Sequence, residues 1–425
     1  MILSPLLSTF CKGRSFLTVR SSVRAMSASK FDAMDSVFNP TETHKQLRTM
    51  LRDFVHHEVE PQANHFNRIE KLNLPLLKQL GDLGLFGLTV DESYGGSGLD
   101  ATSVALAHEE LSYSDPALCL SYLAHSLLLV NNLHINGSHD QKEKYLPDCV
   151  RGTIIGGMGM SEPGAGTDVL GMTTKASLEG DQYIVNGQKM WITNGTLDGA
   201  TTGDLFLVYA RTGEKRSEIS SFLVEKGMRG FSMGQQVKDK LGMRASPTAE
   251  IVFDNVSVPI SQLVGPANGA TLCMMRNLEI ERLGLAAMGL GIARRAINIM
   301  KEYANQRNAF GKNLFSFGQI QAMVATSYAD YMAGRAYVYC LANHLDLKSY
   351  GNSLDADGTK LYCANMAKQV CDRAIQCLGG NGYVGDYTVE RLWRDSKLLE
   401  IGGGTNESHH KNMSRDLSRM DHDLE

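Results

Sequence analysis

Hydrophobic residues recur at helical spacing in the first part of the chain. Between Thr41 and about Val150, apolar residues fall roughly every 3.6 positions in HKQLRTMLRDFVHHEVEPQANHF, LPLLKQLGDLGLFGL and ATSVALAHEELSYSD. We expect the first helix to break near Pro61, because proline has no backbone N–H to donate. The pattern predicts a helical N-terminal domain over residues 40–153.

The spacing changes to alternation in the middle of the chain. DQYIVNGQKMWIT alternates around Asn186-Gly187, a dipeptide suited to the positive φ angles of a type I′ turn, so this segment predicts a hairpin. Further strands are predicted at DLFLVYAR, ISSFLVEKG and TAEIVFDNVSVP. These segments predict a middle antiparallel β domain over residues 154–265.

Helical spacing returns after Gly269 and continues over residues 269–420, which predicts a C-terminal α domain. The fold class is therefore α+β, with the three regions following one another along the chain. Strands and helices do not alternate as βαβ units, so a nucleotide cofactor is not expected in a Rossmann domain.

Composition narrows the function classes. A hydrophobic content of 43% and a charged content of 21% are those of a globular protein, and the net charge of −4 argues against nucleic-acid binding. No uncharged apolar stretch of about 20 residues occurs, so no transmembrane segment is expected. The 8 cysteines form no CxxC pair and no zinc-ligand spacing, so we expect free thiols, no metal site and a reducing compartment.

The first 30 residues are basic, rich in serine and free of acidic residues before Asp32. This composition predicts a mitochondrial transit peptide over residues 1–30, and hence a location in the mitochondrial matrix. A disordered N-terminus without a targeting role remains the alternative, while a secretory signal fits less well because arginines interrupt the apolar runs.

Two segments of the middle domain could border a ligand. GMGMSEPGAGTD is a glycine-rich loop whose backbone N–H groups could bind a polar ring edge or an anion, although a plain turn would explain it equally well. KMWITNG carries Trp191, one of only 2 tryptophans, beside Thr193 and Asn194. It could offer a flat apolar face next to hydrogen-bonding groups, or be a half-buried strand residue.

A third segment, LEIERLGL, offers a candidate general base. Glu279 and Glu281 are two residues apart, so on a helix they point about 200° apart. Glu281 lies three or four residues from Leu278 and Leu285, which places it on the inward face. A carboxylate against an apolar wall has a raised pKa, as a base working near neutral pH requires. A solvated surface pair with Arg282 is the open alternative.

Several strings, in order and nearly end to end, make the chain resemble the acyl-CoA dehydrogenase family. The matching strings are QKEKYLP, MSEPGAGTD, WITNG, DKLGMRAS, RNAFGK, QCLGGNGY and RDSKLLEIGGGTNE. Within the family, the likeness is strongest to members that act on short branched acyl-CoA, with long-chain or other short-chain and branched-chain members as the alternative. The resemblance implies a C-terminal four-helix bundle, a homotetramer, FAD as cofactor, an acyl-CoA substrate and electron transfer flavoprotein as electron acceptor.

The resemblance also implies roles for residues. The cofactor-binding residues would be Met158, Gly159, Met160, Ser161, Gly166, Thr167, Trp191, Ile192, Thr193, Arg307, Gln319, Gln376, Cys377, Leu378, Gly379, Gly380, Thr405, Asn406 and Glu407. Of these, Arg307 and the residues from Gln376 to Gly380 would serve a neighbouring subunit. The substrate-binding residues would be Thr167, Glu279, Ile280, Arg282, Gly403 and Gly404.

The position of the base separates two patterns within the family. Most members are expected to carry a catalytic glutamate where this chain has Gly403, and others carry it at the position of Glu281. The chain shows the second pattern, so the resemblance assigns Glu281 as the base. The bare Gly403 is expected to leave room for a branch near the β-carbon of the substrate.

The chain departs from the family at three places, one of which is the TLDGATTGD stretch after ITNG, expected to be an inserted surface loop. Gly318 stands where a glutamine is usual, so the assignment of Gln319 to FAD depends on a shift of one residue. His409 and His410 replace a basic pair, which puts a charge contact there in doubt.

Overall fold

The structure is a computed structural model that describes residues 36–420. Helices, a sheet and a second set of helices follow one another along the chain, so the predicted α+β organisation is confirmed. The predicted transit peptide lies outside the described residues.

From Glu42 onward, the described residues of the N-terminal region contain seven α-helices. They are α1 Glu42–Phe54, α2 Glu60–Ile69, α3 Leu74–Asp82, α4 Ala101–Ser114, α5 Pro116–Leu123, α6 Asn132–Asn136 and α7 His139–Arg151. Side-chain caps fix several starts: Thr41 accepts from the His44 N–H before α1, and Ser138 and Gln141 form a capping box at α7. A π-helical segment, Ala124–Asn131, joins α5 to α6.

The predicted break at Pro61 is wrong. Helical backbone continues from α1 to α2 through the π-helical turn Val55–Val59, in which the Glu60 N–H pairs with Val55 O five residues back. Pro61 lies in the first turn of α2. The π turn shifts the hydrogen-bond pairing just before the proline, so the helix continues past its missing N–H.

Eight strands form the sheet of the middle region. They are β1 Gly156–Gly159, β2 Lys175–Glu179, β3 Gln182–Thr193, β4 Leu205–Arg211, β5 Ile219–Glu225, β6 Phe231–Gln236, β7 Thr248–Pro259 and β8 Leu263–Val264. The order is β6-β7-β3-β2-β4-β5-β8, with β1 paired to β4. The pairings are antiparallel except that β4 runs parallel to both β1 and β2.

The hairpin predicted at Asn186-Gly187 is also wrong. β3 runs straight through these residues, and a register shift against β7 marks a bulge there. The turn lies earlier, at Gly180-Asp181, between the paired residues Glu179 and Gln182. Gly180 has a φ of +62°, which suits the first central residue of a two-residue hairpin turn. The bulge uses the glycine that the sequence pattern assigned to a turn.

The C-terminal region contains long helices and one short hairpin. Its elements are α8 Ala270–Gln306, β9 Asn308–Ala309, β10 Lys312–Asn313, α9 Gly318–His344, α10 Ser353–Leu378, α11 Val389–Leu399 and α12 Asn406–Leu417. α8 packs against α9, α10, α11 and, from the N-terminal region, α4. Helices α8 to α11 form the predicted bundle, and α12 packs on α10.

Buried apolar side chains form one cluster between the two helical regions, a second where helices meet the sheet, and a third within the sheet. The stretches Pro116–Asn136 and Ala270–Gln306 are long and apolar enough to span a membrane by length and composition, but most of each is buried inside the fold. Their composition is thus that of helices in a protein core.

Candidate active site

Glu281 is a buried carboxylate without a full set of partners. Its residue surface is 7% exposed, and Oε2 has no hydrogen-bond partner among the residues that the structure describes. Burial raises its pKa to about 7, and the charges of Arg282 and Lys360 offset only part of that shift. The alternative of a solvated pair with Arg282 is excluded, because Arg282 Nε lies 3.1 Å from Asp357 Oδ1 instead.

Glu279 is buried on another side of α8. It accepts hydrogen bonds from the Gly351 N–H at 3.3 Å and the Asn352 N–H at 3.2 Å, in the linker before α10. Burial raises its pKa, and these backbone donors oppose the shift. Ile280 is buried in the core between the two carboxylates. The linker therefore satisfies Glu279, whereas Glu281 keeps an unpaired oxygen.

A glycine loop between α11 and α12 packs against Glu281. Gly403 and Gly404 have φ angles of +65° and +95°, a region that glycine adopts without strain. A Cβ at Gly403 would lie 3.5 Å from Glu281 Oε1 and only 2.1 Å from Leu285 Cδ1. The structure thus brings Gly403 and Glu281 together, but Leu285 takes part of the space expected for a substrate branch.

Buried charges behind this loop were missed by sequence reasoning. Lys360 Nζ donates to Gly404 O at 2.6 Å, and His409 lies between Gly404 O and Asp357. His409 was noticed only as a departure from the family pattern. The spacing of Asp357 and Lys360 indicates one face of α10, but nothing in the sequence shows that this face meets the loop.

The ends of β1 and β3 bring the two predicted flavin segments together. Met158 and Gly159 lie in β1, and the next residues, Met160 and Ser161, run alongside β3. The backbone N–H of Met190 donates to Ser161 O at 2.8 Å, and Lys189 Nζ donates to Met160 O at 3.1 Å. The loop is thereby fixed beside the residue that precedes Trp191.

A buried ion pair holds the next part of this loop. Lys189 Nζ lies 2.8 Å from Glu162 Oε1, and Glu162 also accepts from the N–H groups of Thr173 and Thr174. Burial opposes ionisation of Glu162, but Lys189 outweighs it and lowers the pKa of that carboxyl to about 2. Gly166 and Thr167 follow in an exposed turn that Glu162 anchors.

Trp191 is 60% exposed and has a φ of +66°, an unusual backbone conformation for an aromatic residue. It lies in the register shift between Lys189 and Ile192, which turns its side chain out of the regular alternation. Ile192 is buried in the sheet core, and Thr193 pairs with Thr248 on β7. The exposed indole beside the loop is a surface that a flat aromatic ring fits.

The remaining predicted cofactor residues lie in two other places. Thr405 caps α12, Asn406 Nδ2 donates to Asn365 Oδ1 at 2.9 Å, and Glu407 is exposed. Arg307 ends α8, and at roughly 1.5 Å per residue it lies about 39 Å from Glu281 along the helix.

The second distant group lies at the same end of the bundle as Arg307. Gln319 is exposed in the first turn of α9, and Gln376, Gly379 and Gly380 are exposed at the end of α10. Cys377 and Leu378 between them are buried in the core. Asn381 Nδ2 donates to Tyr303 Oη at 3.0 Å, which ties this end of α10 to the last turns of α8.

Among residues 36–420, no group of three His, Cys, Asp or Glu side chains could hold a metal ion. The cysteines in this part of the chain are free thiols.

Comparison with family models covers almost all of the described chain. The N-terminal domain model of acyl-CoA dehydrogenase matches residues 41–153, the middle domain model matches residues 157–256, and the C-terminal domain model matches residues 268–418.

Two relatives show the range of similar proteins. The mitochondrial isovaleryl-CoA dehydrogenase of Pongo abelii is 41% identical over 379 residues, covering 88% of each chain. A short-chain-specific acyl-CoA dehydrogenase of Clostridium acetobutylicum is 38% identical over 372 residues, covering 87% of this chain and 96% of that protein.

Solved structures show the same fold. Butyryl-CoA dehydrogenase from Megasphaera elsdenii has a TM-score of 0.85 at 34% identity, covering 89% of this chain and 99% of its own. A glutaryl-CoA dehydrogenase from Mycobacterium smegmatis, in complex with FADH2, has a TM-score of 0.85 at 27% identity, covering 93% and 98%.

Proposed function

This chain belongs to the acyl-CoA dehydrogenase family, and from that premise we propose that it oxidises isovaleryl-CoA to 3-methylcrotonyl-CoA in leucine catabolism. The family is FAD-dependent, so the enzyme uses FAD and an acyl-CoA substrate. The choice of isovaleryl-CoA rests on the base position together with the similarity to relatives that carry that name.

The observation that carries the proposal is the state of Glu281. A buried carboxylate with a free oxygen and a pKa of about 7 can take a proton from carbon, whereas a solvated glutamate is a weaker base. No carboxylate stands at position 403, since Gly403 occupies it. We therefore assign the base role to Glu281.

The chemistry assigned to the chain is the removal of the α-proton. Glu281 Oε2 receives that proton, and the electron pair of the broken C–H bond at the α-carbon forms the new double bond between the α- and β-carbons. Bound FAD supplies the acceptor for the hydride that leaves the β-carbon. Leu285 and the glycine loop shield Glu281 from water, which strengthens its interactions with charge that develops on the thioester.

The groups proposed to hold FAD fit a flavin. The exposed indole of Trp191 offers an apolar platform, and the segment from Met158 to Ser161 lies beside it on the adjacent strand end. Arg307 at the end of α8 and the exposed glycines Gly379 and Gly380 at the end of α10 lie at the end of the bundle opposite Glu281. This separation supports a homotetramer in which one subunit contributes these residues to the cofactor of another.

The remaining parts of the proposal concern partners and location. Electron transfer flavoprotein is proposed as the electron acceptor, on the basis of the family. The mitochondrial matrix is proposed as the location, supported by the basic, serine-rich first 30 residues and by relatives described as mitochondrial.

Sedimentation of the FAD-loaded protein is expected to give the mass of four chains, and a monomer with full FAD content would contradict the shared cofactor site.

Anaerobic bleaching of the flavin absorbance tests the substrate. The purified yellow enzyme is mixed with isovaleryl-CoA, 2-methylbutyryl-CoA, butyryl-CoA or octanoyl-CoA, and the rate of bleaching is recorded for each. Isovaleryl-CoA is expected to bleach fastest. Faster bleaching by butyryl-CoA or by octanoyl-CoA would overturn the choice of substrate. The similarity to the short-chain-specific relative makes butyryl-CoA the main competitor. Bleaching by none would contradict the dehydrogenase chemistry.

A further inference from the structure

The carbonyl of Gly404 is a point at which buried side chains of the bundle contact the glycine loop. Two side chains reach it: Lys360 Nζ lies 2.6 Å away and His409 Nε2 lies 3.0 Å away. A Cβ on Gly404 would lie 2.9 Å from His409 Cε1, so the loop approaches the ring closely only because the residue is glycine.

His409 cannot satisfy both of its neighbours when its ring is neutral. Nδ1 lies 2.5 Å from Asp357 Oδ1, and Nε2 faces Gly404 O, so both ring nitrogens face acceptors. Burial lowers the pKa of His409, although Asp357 opposes the shift, which favours a ring with one N–H. The carboxylate is the stronger acceptor and takes that N–H. Lys360 is then the donor left for Gly404 O.

Lys360 also acts on Glu281 through its charge. The Lys360 side chain is fully buried in α10, and burial lowers its pKa to about 8 although the charge of Glu281 opposes that shift. Lys360 is therefore mostly protonated at pH 7. The other charged groups around it are Arg282 on α8, Asp357 on α10 and Glu400 after α11. Glu400 is itself paired with Lys368 and Lys397, and Asp357 with Arg282, so the Glu281 carboxylate is the unpaired anion of the group.

We propose that Lys360 is a positioning residue for the dehydrogenation: it fixes the Gly404 carbonyl and thereby sets the glycine loop against Glu281, while its ammonium charge favours the ionised form of Glu281. The inference rests on the assignment of Glu281 as base. It adds a residue whose contact with the reaction is indirect, through the loop backbone and through the electric field at the carboxylate.

Lys360→Met tests the proposal, since it removes the charge and the donor but keeps the apolar stem. A positive charge near a carboxylate lowers its pKa, so its removal raises the pKa of Glu281. The acid limb of the kcat/KM profile for anaerobic bleaching is expected to move up by about one pH unit. Turnover at pH 7 is expected to fall about fivefold from the shift alone, and to recover only in part near pH 9 because the donor to Gly404 O is also lost, with KM little changed.

Lys368→Met is the matched control. Lys368 lies on the same helix, carries the same charge and contacts Glu400 at 3.2 Å, but its side chain is 35% exposed and does not reach Gly404 O. Its profile is expected to match the wild type. Lys360→Gln is the second variant, because it retains a donor while losing the charge. It should show the same shift of the acid limb, with a smaller loss of turnover at pH 9.

The outcomes separate this inference from the proposed function. The thioester used is the one that bleaches the wild type fastest, so a wrong choice of acyl chain appears in the wild type and leaves the comparison intact. If the Glu281→Gln variant bleached at the wild-type rate, the assignment of Glu281 as the base would be wrong. If the acid limb of the kcat/KM profile lay at the same pH in both Lys360 variants as in the wild type, the inference about Lys360 would be overturned, while the assignment of Glu281 as the base would stand. Loss of FAD and of the melting transition in both variants would show a purely structural role and would also overturn it.

Discussion

Two clusters of buried carboxylates lie along α8, and they differ in how completely they are paired. Near its middle, Glu109 and Glu110 of α4 are surrounded by arginines: Arg48 Nη1 lies 3.0 Å from Glu109 and 2.5 Å from Glu110, and Arg294 Nη2 lies 2.5 Å from Glu110. Near its start, Glu281 has an oxygen without a partner.

The same burial therefore gives opposite protonation behaviour. Burial alone would raise the pKa of Glu109, but the charges of Arg335, Arg48 and Arg294 outweigh it and hold that pKa well below its usual range. At Glu281 the burial effect prevails, and its pKa rises to about 7. Pairing thus makes Glu109 a permanent anion that joins two helical regions, and the lack of pairing makes Glu281 a base.

The largest expected effect is on catalysis at the unpaired carboxylate. Glu281→Gln keeps the shape of the side chain but removes the proton acceptor, so anaerobic bleaching is expected to slow about 10²–10⁴-fold. FAD content should stay near the wild type, and the melting temperature should not fall. A bleaching rate within a factor of two of the wild type would remove Glu281 from the mechanism.

The next effect is on stability at the paired carboxylate. Glu109→Gln leaves Arg48 and Arg335 without their full counter-charge, so the free energy of unfolding in urea is expected to fall by about 3–5 kcal/mol. Glu143→Gln is the control, because the Glu143 side chain is 62% exposed and pairs only with His139 on its own helix. Equal losses in the two variants would mean that the buried network has no special role.

The pH dependence of stability should also separate the two carboxylates. The folded-state pKa of Glu281 is about 7 against 4.5 for an ordinary glutamate, so the folded state binds more protons between these values. Its ionisation therefore lowers stability as the pH rises through this window. The stability of Glu281→Gln relative to the wild type is expected to increase by about 3 kcal/mol from pH 4.5 to pH 8.

Glu109 has the opposite sign. Its folded-state pKa is depressed, so its contribution is present above the ordinary pKa of a glutamate and is lost as the pH falls below that value. Urea unfolding at pH 4.5, 6 and 8 measures the Glu281 effect, and further measurements at pH 3 and 4 measure the Glu109 effect. If the difference between Glu281→Gln and the wild type did not change with pH, Glu281 would have an ordinary pKa in the folded protein.

The smallest effect is expected at the edge of the paired cluster. Arg52 Nε lies 3.2 Å from Glu110 Oε1, but the Arg52 side chain is 54% exposed. Water screens this contact, so Arg52→Ala is expected to lower the free energy of unfolding by about 0.5 kcal/mol, and by less in high salt. A loss as large as that of Glu109→Gln would show that the network extends to the surface.

Local patterns in the sequence predicted the order of helices and strands, but not how the chain adjusts within them. Pro61 was expected to break a helix, and a π turn carries the helix through it. Gly187 was expected in a turn, and Gly180 occupies the turn instead. In both cases hydrogen bonding with neighbouring residues or strands outweighed the preference of a single residue.

In the candidate site too, the sequence predicted features within one element but not contacts between elements. Glu281 could be placed on an inward face from its spacing to Leu285, because both lie on one helix. The contact of Lys360 with Gly404 joins residues 44 positions apart on different elements, and periodicity within one element contains no information about it. The family resemblance named the glycine loop but gave no account of the charges behind it.

The packing of Leu285 against Gly403 limits where the base can stand. A glutamate introduced at position 403 would meet Leu285 Cδ1 within 2.1 Å and would occupy a φ of +65° that side chains rarely adopt. A glutamate at this position would need both a shift of the Leu285 side chain and a backbone conformation that glycine adopts more readily. A change of base position in this chain therefore requires changes at more than one residue.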